Sequence, residues 1–116
     1  MTATPESDNT APDSTESDMH KMLGDVAPKL VALTDGTLFG DVWERPELSP
    51  RDRSLITIAS LVATGNVDQL NWHVPYGLKN GLTQTEITEA ITHLAFYAGW
   101  PKAVSAITTA KSHFTS

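Results

Sequence analysis

Two histidines are the side chains whose type suits acid–base chemistry near neutral pH. His73 follows Trp72 in a largely apolar segment, and His93 lies four residues before Tyr97. Because a neutral imidazole can accept or donate a proton at pH 7, both are candidate general acids or bases. Glu89, four residues before His93, suits an ordinary helix-surface pair as well as an orienting acid. A lone histidine on the flank of a helix is, however, more often a surface residue or a core residue with its hydrogen bonds satisfied.

Two arginines form a second candidate group. Arg51 and Arg53 fall in the first turn of a predicted helix, where positive charges oppose the helix dipole. A compensating anion is therefore expected. The sequence leaves two kinds open: a carboxylate of the protein, such as Asp52, Glu47 or Glu44, or an acidic substrate held by the guanidinium fork.

The sequence gives little support for cysteine-based sites, metal sites or an aromatic pocket. The chain has no cysteine, which excludes disulfides, thiolate metal ligands and cysteine nucleophiles. No third ligand stands at a recognisable spacing from the two histidines, so no metal is predicted. Six aromatic residues could line an apolar pocket, although core or subunit contacts are their usual role. They are Phe39, Trp43, Trp72, Phe96, Tyr97 and Trp100.

Charge and composition narrow the possible partners. Of the 14 acidic residues, five lie in residues 1–18 with no Lys or Arg, so this segment is predicted to be a disordered acidic tail. Residues 19–116 hold nine acids and eight bases and are predicted to form one domain. The lack of a basic stripe argues against nucleic acid, and no signal-like or membrane-spanning run occurs. A cytoplasmic protein without membrane contact is expected.

The elements that must position these side chains all read as helices. Apolar residues recur at helical spacing between Pro and Gly punctuation, and no segment alternates with the period of a strand. The predicted segments are about Asp18 to Leu33 (in two pieces at Ala27–Pro28), a short helix after Asp35, Ser49 to about Thr64, Asn66 to Asn80, Thr83 to Ala98, and a last helix from Pro101. The class is all-α.

Three of these helices have features that bear on the candidate site. The helix after Ser49 is apolar around most of its circumference, which suits a central helix or one buried by another subunit. Pro75 removes a backbone hydrogen bond, which predicts a kink next to His73. Thr83 and Glu86 have the spacing of a capping box, which makes the helix they begin the most secure.

Four segments, taken together, resemble the carboxymuconolactone decarboxylase family over about residues 19–114. They are LFGDVW at Leu38–Trp43, SPRDRSL at Ser49–Leu55, NGLT at Asn80–Thr83 and AFYAGWP at Ala95–Pro101. The resemblance implies an all-α, alkyl hydroperoxidase D-like domain of five to six helices. It also implies an interlocked homo-oligomer, commonly a trimer or a hexamer.

The redox branch of that superfamily carries a Glu, a Cys-x-x-Cys and then a His. Counted back from His73, these positions hold Ser54, Asn66 and Gln69. Peroxide reduction by thiols is therefore chemically impossible for this chain. The resemblance points instead to the cysteine-free decarboxylase branch, although Val74–Gly77 replaces the basic, proline-free segment that usually follows the histidine.

The resemblance implies a carboxy-lyase that needs no cofactor. In 4-carboxymuconolactone the electrons left by CO2 can flow into the lactone carbonyl, so the enzyme has to hold carboxylates, stabilise an oxyanion and return a proton. The small anionic substrate would be bound by Arg51, Arg53, Trp72 and Trp100. His73 would protonate the product or stabilise the oxyanion. His93 and Tyr97 would be further proton donors or would orient the reacting groups.

A non-catalytic helical oligomer that binds a small ligand or a partner is the alternative. An enzyme should bring Arg51 or Arg53 and His73 within reach of one cavity. A binding protein needs no such convergence.

Overall fold

The computed structural model describes residues 18–115. The predicted acidic tail lies outside this range except for Asp18, which opens the first described helix. The chain divides between Glu47 and Leu48 into two compact units.

The first unit is a series of short helical pieces. Helix α1 covers residues 18–23, and helix α2 covers Pro28–Ala32 after a turn that ends at Ala27. The predicted break before Pro28 is thus confirmed. Helix α2 continues into a π-helix, Leu33–Phe39, and a 3₁₀ turn follows at Val42–Glu44.

The short helix predicted after Asp35 begins earlier, at Leu33, and its backbone is not α-helical. A π-helix covers this stretch instead, and the hydroxyl of Thr34 donates to the carbonyl of Leu30 at 2.8 Å. Such a side-chain bond competes with the regular helical ladder, and Gly36 further weakens an α-helix here. Phe39 and Trp43 are buried, with ring centroids 5.8 Å apart.

The second unit contains four longer helices, and they match the predicted segments closely. They are α3 (Pro50–Thr64), α4 (Val67–Lys79), α5 (Gln84–Tyr97) and α6 (Trp100–Ala110), with a final 3₁₀ turn at Lys111–His113. Residues 18–115 contain helices and connections but no strand. The predicted all-α class is confirmed.

The ends of these helices follow from local sequence. Ser49 accepts a hydrogen bond from the backbone N–H of Asp52 at the start of α3. Thr83 and Glu86 form the predicted capping box at the start of α5. Gly81 has a φ of 110°, which few other residues could adopt, and it reverses the chain between α4 and α5.

The core of the second unit is one cluster to which all four helices contribute. Its buried members are Ile58, Val62, Leu70, Val74, Leu82, Ile87, Ile91, Ala103, Ala106 and Ala110. Helix α3 also has apolar side chains outside this cluster, and Ile56 is 57% exposed. This agrees with the prediction that α3 is apolar on more than one face.

Helices α3 and α4 approach each other closely at Gly77. A Cβ atom there would lie 3.0 Å from Leu82 Cδ1 and 3.1 Å from Ile58 Cδ1. A Cβ at this position would require the ends of the Leu82 and Ile58 side chains to shift by a few tenths of an ångström. No helix in residues 18–115 combines the length and the apolar character needed to cross a membrane.

Candidate active site

His73 lies on α4 within a group of rings that we call the α4 ring cluster: Trp72, His73 and Tyr76. The ring of Trp72 is 4.9 Å from that of His73, edge to face, and 4.4 Å from that of Tyr76. The rings of His73 and Tyr76 are 6.4 Å apart. All three side chains are half-buried.

Burial lowers the pKa of His73 from 6.5 to about 4, because a charged imidazolium loses hydration there. At pH 7 only about a thousandth of such a side chain is protonated. The neutral ring still carries one N–H donor and one acceptor nitrogen. His73 is therefore suited to donating a hydrogen bond or accepting a proton, and poorly suited to storing a proton for delivery.

A second candidate region is a groove between α3 and α5, which we call the α3–α5 groove. Its volume is about 510 Å³. Helix α3 contributes Arg51, Leu55 and Ala59, and α5 contributes Glu86, Glu89, Ala90, His93 and Leu94. An apolar floor is thus bordered by charged groups and one imidazole. The groove holds the predicted residues Arg51 and His93 together, whereas His73 belongs to α4.

Arg51 has two carboxylate partners. Its Nη1 atom is 3.0 Å from Asp52 Oδ1, and its Nη2 atom donates to Glu86 Oε2. The hydrogen bond to Glu86 is the main reason that the pKa of Arg51 is raised. Of the anions left open by the sequence, a protein carboxylate is thus present, and Asp52 was among those named.

Glu86 is the partner that sequence reasoning missed. Its capping-box spacing indicates that it lies in the first turn of α5, but nothing in that spacing shows which other helix lies nearby. The Thr83 backbone N–H and then Arg51 stabilise the Glu86 carboxylate, and so lower its pKa.

Arg53 has a different environment from Arg51. Its Nε atom donates to the carbonyl oxygen of Leu48 at 3.1 Å, and the side chain is half-buried. Both arginines lie in the first turn of α3, but Arg51 contacts Glu86 on α5, whereas Arg53 contacts the backbone just before α3.

His93 and Tyr97 form the predicted i, i+4 pair. Their rings stack at 4.8 Å with an angle of 24° between planes, and Tyr97 is 78% exposed. Trp100 lies elsewhere, edge to face with Phe96 at 5.5 Å. It borders a smaller cavity of about 180 Å³ between α5 and α6. The predicted site residues thus fall into separate groups within the second unit.

Residues 18–115 contain no group of three or more His, Asp or Glu side chains placed to hold a metal ion.

Comparison with known protein families shows to which family this chain belongs. The model of the carboxymuconolactone decarboxylase family matches residues 28–112, which is most of the chain. This chain belongs to the carboxymuconolactone decarboxylase family. The family assignment predicted from the four sequence segments is thereby confirmed, and the match covers every helix from α2 to α6.

Two curated relatives of this family member are decarboxylases. A 4-carboxymuconolactone decarboxylase of Acinetobacter baylyi is 42% identical over 76 residues, which are 66% of this chain and 57% of that protein. Nitrosuccinic acid decarboxylase of Metarhizium robertsii is 37% identical over 69 residues, which are 60% of this chain and 48% of that protein. The chain thus matches about half the length of each relative.

Ser54, which the resemblance aligned with the glutamate of the redox branch, lies on α3. Its side chain is fully buried, and Oγ accepts a hydrogen bond from Asn80 Nδ2 at 2.9 Å. The pair joins α3 to the residue that follows α4. A neutral, satisfied hydrogen bond here suits a structural contact and offers no ionisable group for redox chemistry.

Proposed function

We propose that this protein is a cofactor-free decarboxylase of a small carboxylated compound that carries its own electron acceptor. The names of the two relatives support this class. 4-Carboxymuconolactone and nitrosuccinic acid are both acids with an electron-withdrawing group, a conjugated lactone carbonyl in one and a nitro group in the other. An unsaturated lactone acid or a related carbon acid is the substrate class proposed for this chain.

The reaction needs little from the protein besides binding and electrostatics. The bond from carbon to the carboxylate breaks, CO2 leaves, and the electron pair moves into the acceptor, whose oxygen becomes negative. A proton then returns to carbon. Groups that stabilise the new oxyanion accelerate the first step, because charge develops there in the transition state.

The half-burial of His73 beside Trp72 and Tyr76 is the observation that carries this proposal. A neutral imidazole can donate its N–H to the developing oxyanion, and partial burial strengthens that interaction. Of the two roles predicted for His73, the lowered pKa favours oxyanion stabilisation over protonation. His93, Tyr97 or water is then the proposed source of the proton.

Arg51 and Arg53 are proposed to hold substrate carboxylates. Arginine has five N–H donors, and the contacts of Arg51 with Asp52 and Glu86 involve two of its nitrogens. Donors therefore remain for a ligand carboxylate in the α3–α5 groove. Trp72 and Trp100 are proposed to contribute apolar contacts to the substrate.

A homo-oligomer, a trimer or a hexamer, is part of the proposal. Phe96, Tyr97 and Trp100 are 74%, 78% and 60% exposed in the single chain, which is unusual for neighbouring aromatic residues. A second subunit would cover this surface and shield the groove from water. Light scattering of the purified protein tests the stoichiometry, and a monomer at micromolar concentration would contradict it.

The central experiment is incubation with 4-carboxymuconolactone in deuterated water, followed by NMR. We expect a product that lacks one carboxylate and carries deuterium at the carbon that was protonated. 2-Nitrosuccinate serves as the second substrate. Absence of turnover with both acids would contradict the decarboxylase proposal.

The alternative, a helical oligomer that binds a ligand without catalysis, is favoured by one observation. Arg51 is already paired with protein carboxylates, and the groove that it lines is built from α3 and α5, whereas His73 lies on α4. Binding of both acids without turnover would support this alternative.

A further inference from the structure

We propose that Glu86 is a positioning residue that holds the guanidinium of Arg51 in place for a substrate carboxylate in the α3–α5 groove. The inference rests on the proposed function, which assigns Arg51 to substrate binding. It gives Glu86 a role in substrate affinity that its place in a capping box alone would not require.

The Glu86 side chain is anchored from its own helix. Its Oε1 atom accepts the backbone N–H of Thr83 at 2.9 Å, and Thr83 Oγ1 accepts the backbone N–H of Glu86 at 3.0 Å. The carboxylate is therefore fixed at the start of α5 before Arg51 is considered. Its second oxygen, Oε2, accepts from Arg51 Nη2.

Arg51 is held from its own helix as well. Nη1 contacts Asp52, the next residue of α3, at 3.0 Å. The aliphatic part of the side chain passes beside Gly81, where a Cβ atom would lie 3.9 Å from Arg51 Cγ and Cδ. The guanidinium is thus held at Nη1 by α3 and at Nη2 by α5.

Without these contacts a long side chain that is 39% exposed would sample many rotamers. A ligand carboxylate would then have to order the arginine as it binds, which weakens affinity. Holding the fork in advance removes this cost. Glu86 also brings a negative charge, which repels an anionic ligand. This repulsion opposes the gain in affinity that comes from holding Arg51 in place.

Glu89 allows these two effects to be separated. It lines the same groove with the same charge, but the Arg51 contacts described above are with Glu86 and Asp52. Both E86Q and E89Q remove one negative charge from the groove. Of the two, E86Q alone removes a charged partner of Arg51, the one on α5, while Asp52 stays in place. Glutamine at this position still completes a capping box, so the helix start is kept.

The test compares KM and kcat of wild-type, E86Q and E89Q proteins with 4-carboxymuconolactone. We expect the KM of E86Q to exceed that of E89Q by at least about 5-fold, with kcat nearly equal, because fork orientation is lost only in E86Q. In the R51K background, E86Q should add little, since its effect passes through Arg51. Equal KM values for E86Q and E89Q would overturn the inference.

A readout independent of turnover keeps this inference separate from the proposed function. The ¹⁵N relaxation of the Arg51 Nε–H group should show an ordered side chain in wild-type and E89Q proteins and a mobile one in E86Q. If the wild-type protein turns over neither acid, the proposed function fails, and this measurement still decides whether Glu86 positions Arg51. Equal order in all three proteins would overturn the inference.

Discussion

The α4 ring cluster and the α3–α5 groove each contain one of the two histidines expected to do chemistry, in opposite environments. His73 is half-buried among aromatic rings, and its pKa is lowered to about 4. His93 is exposed at the edge of a groove that also holds the Arg51–Glu86 ion pair. Burial in the α4 ring cluster disfavours a charged side chain, whereas the α3–α5 groove is lined by several charged side chains.

Because the two histidines have such different surroundings, residue type alone does not assign a catalytic role. A desolvated imidazole favours its neutral form and can donate a hydrogen bond to an oxyanion, whereas an exposed imidazole at the edge of a groove is in contact with solvent. The four predictions below test whether the two regions contribute in these different ways.

The largest expected effect is the loss of His73. H73Q should lower kcat about 100-fold or more, because it removes the proposed imidazole N–H near the developing oxyanion. H93Q should lower it less than about 10-fold if water can replace His93 as proton source. Steady-state kinetics with 4-carboxymuconolactone measure the kcat of both variants. Larger loss in H93Q than in H73Q would reverse the comparison.

The second prediction uses pH to test the burial of His73. Its pKa is about 4 in the folded protein against 6.5 for an ordinary histidine, so the unfolded chain binds more protons between these pH values. The free energy of unfolding should therefore fall as pH is lowered from 6.5 towards 4, by up to about 1.4 kcal/mol per pH unit from this group. Urea denaturation of wild-type and H73Q proteins measures it. If the difference between them does not change over this range, His73 is not desolvated.

The third prediction concerns the packing that places the α4 ring cluster. G77A should destabilise the protein by about 1–3 kcal/mol, because its Cβ would meet Leu82 and Ile58 at 3.0 and 3.1 Å. G36A is a matched control, since a Cβ at Gly36 has no neighbour within 4 Å. Denaturant midpoints measure both variants. Equal stability would show that the α3–α4 contact can relax.

The smallest effect is expected at the groove. T83A should cost about 1 kcal/mol of stability, because it removes the hydroxyl that caps α5 and leaves His73 in place. T88A, an exposed change in the same helix, should be neutral or slightly stabilising. Thermal unfolding compares them. If the free energy of unfolding of T83A depends on pH differently from that of the wild-type protein, the start of α5 and the α4 ring cluster are coupled.

Much of the fold could be predicted because its signals are local. The start of α3 at Ser49 and Pro50, the capping box at Thr83 and the end of α4 before Gly81 each depend on a few neighbouring residues. The exception, the π-helix at Leu33–Phe39, involves a hydroxyl–carbonyl bond that competes with the regular ladder. Spacing alone does not show which of the two will form.

The candidate site could be predicted only in part. The sequence pointed to Arg51, His73 and His93, but it gave no sign that Arg51 would meet Glu86, which lies 35 residues away. It also gave no sign that Trp100 would lie beside a separate cavity. Roles for these residues therefore stay predictions, which the variants above can test.

The amino-acid sequence by itself determined the four longer helices, the absence of thiol chemistry and the family, because each depends on residue identity or on contacts within about one helical turn. The tertiary structure alone decided that His73 is half-buried, which lowers its pKa, and that Arg51 is paired with Glu86. Desolvation and ion pairing depend on what distant segments bring to a side chain, and that is settled only when the helices pack.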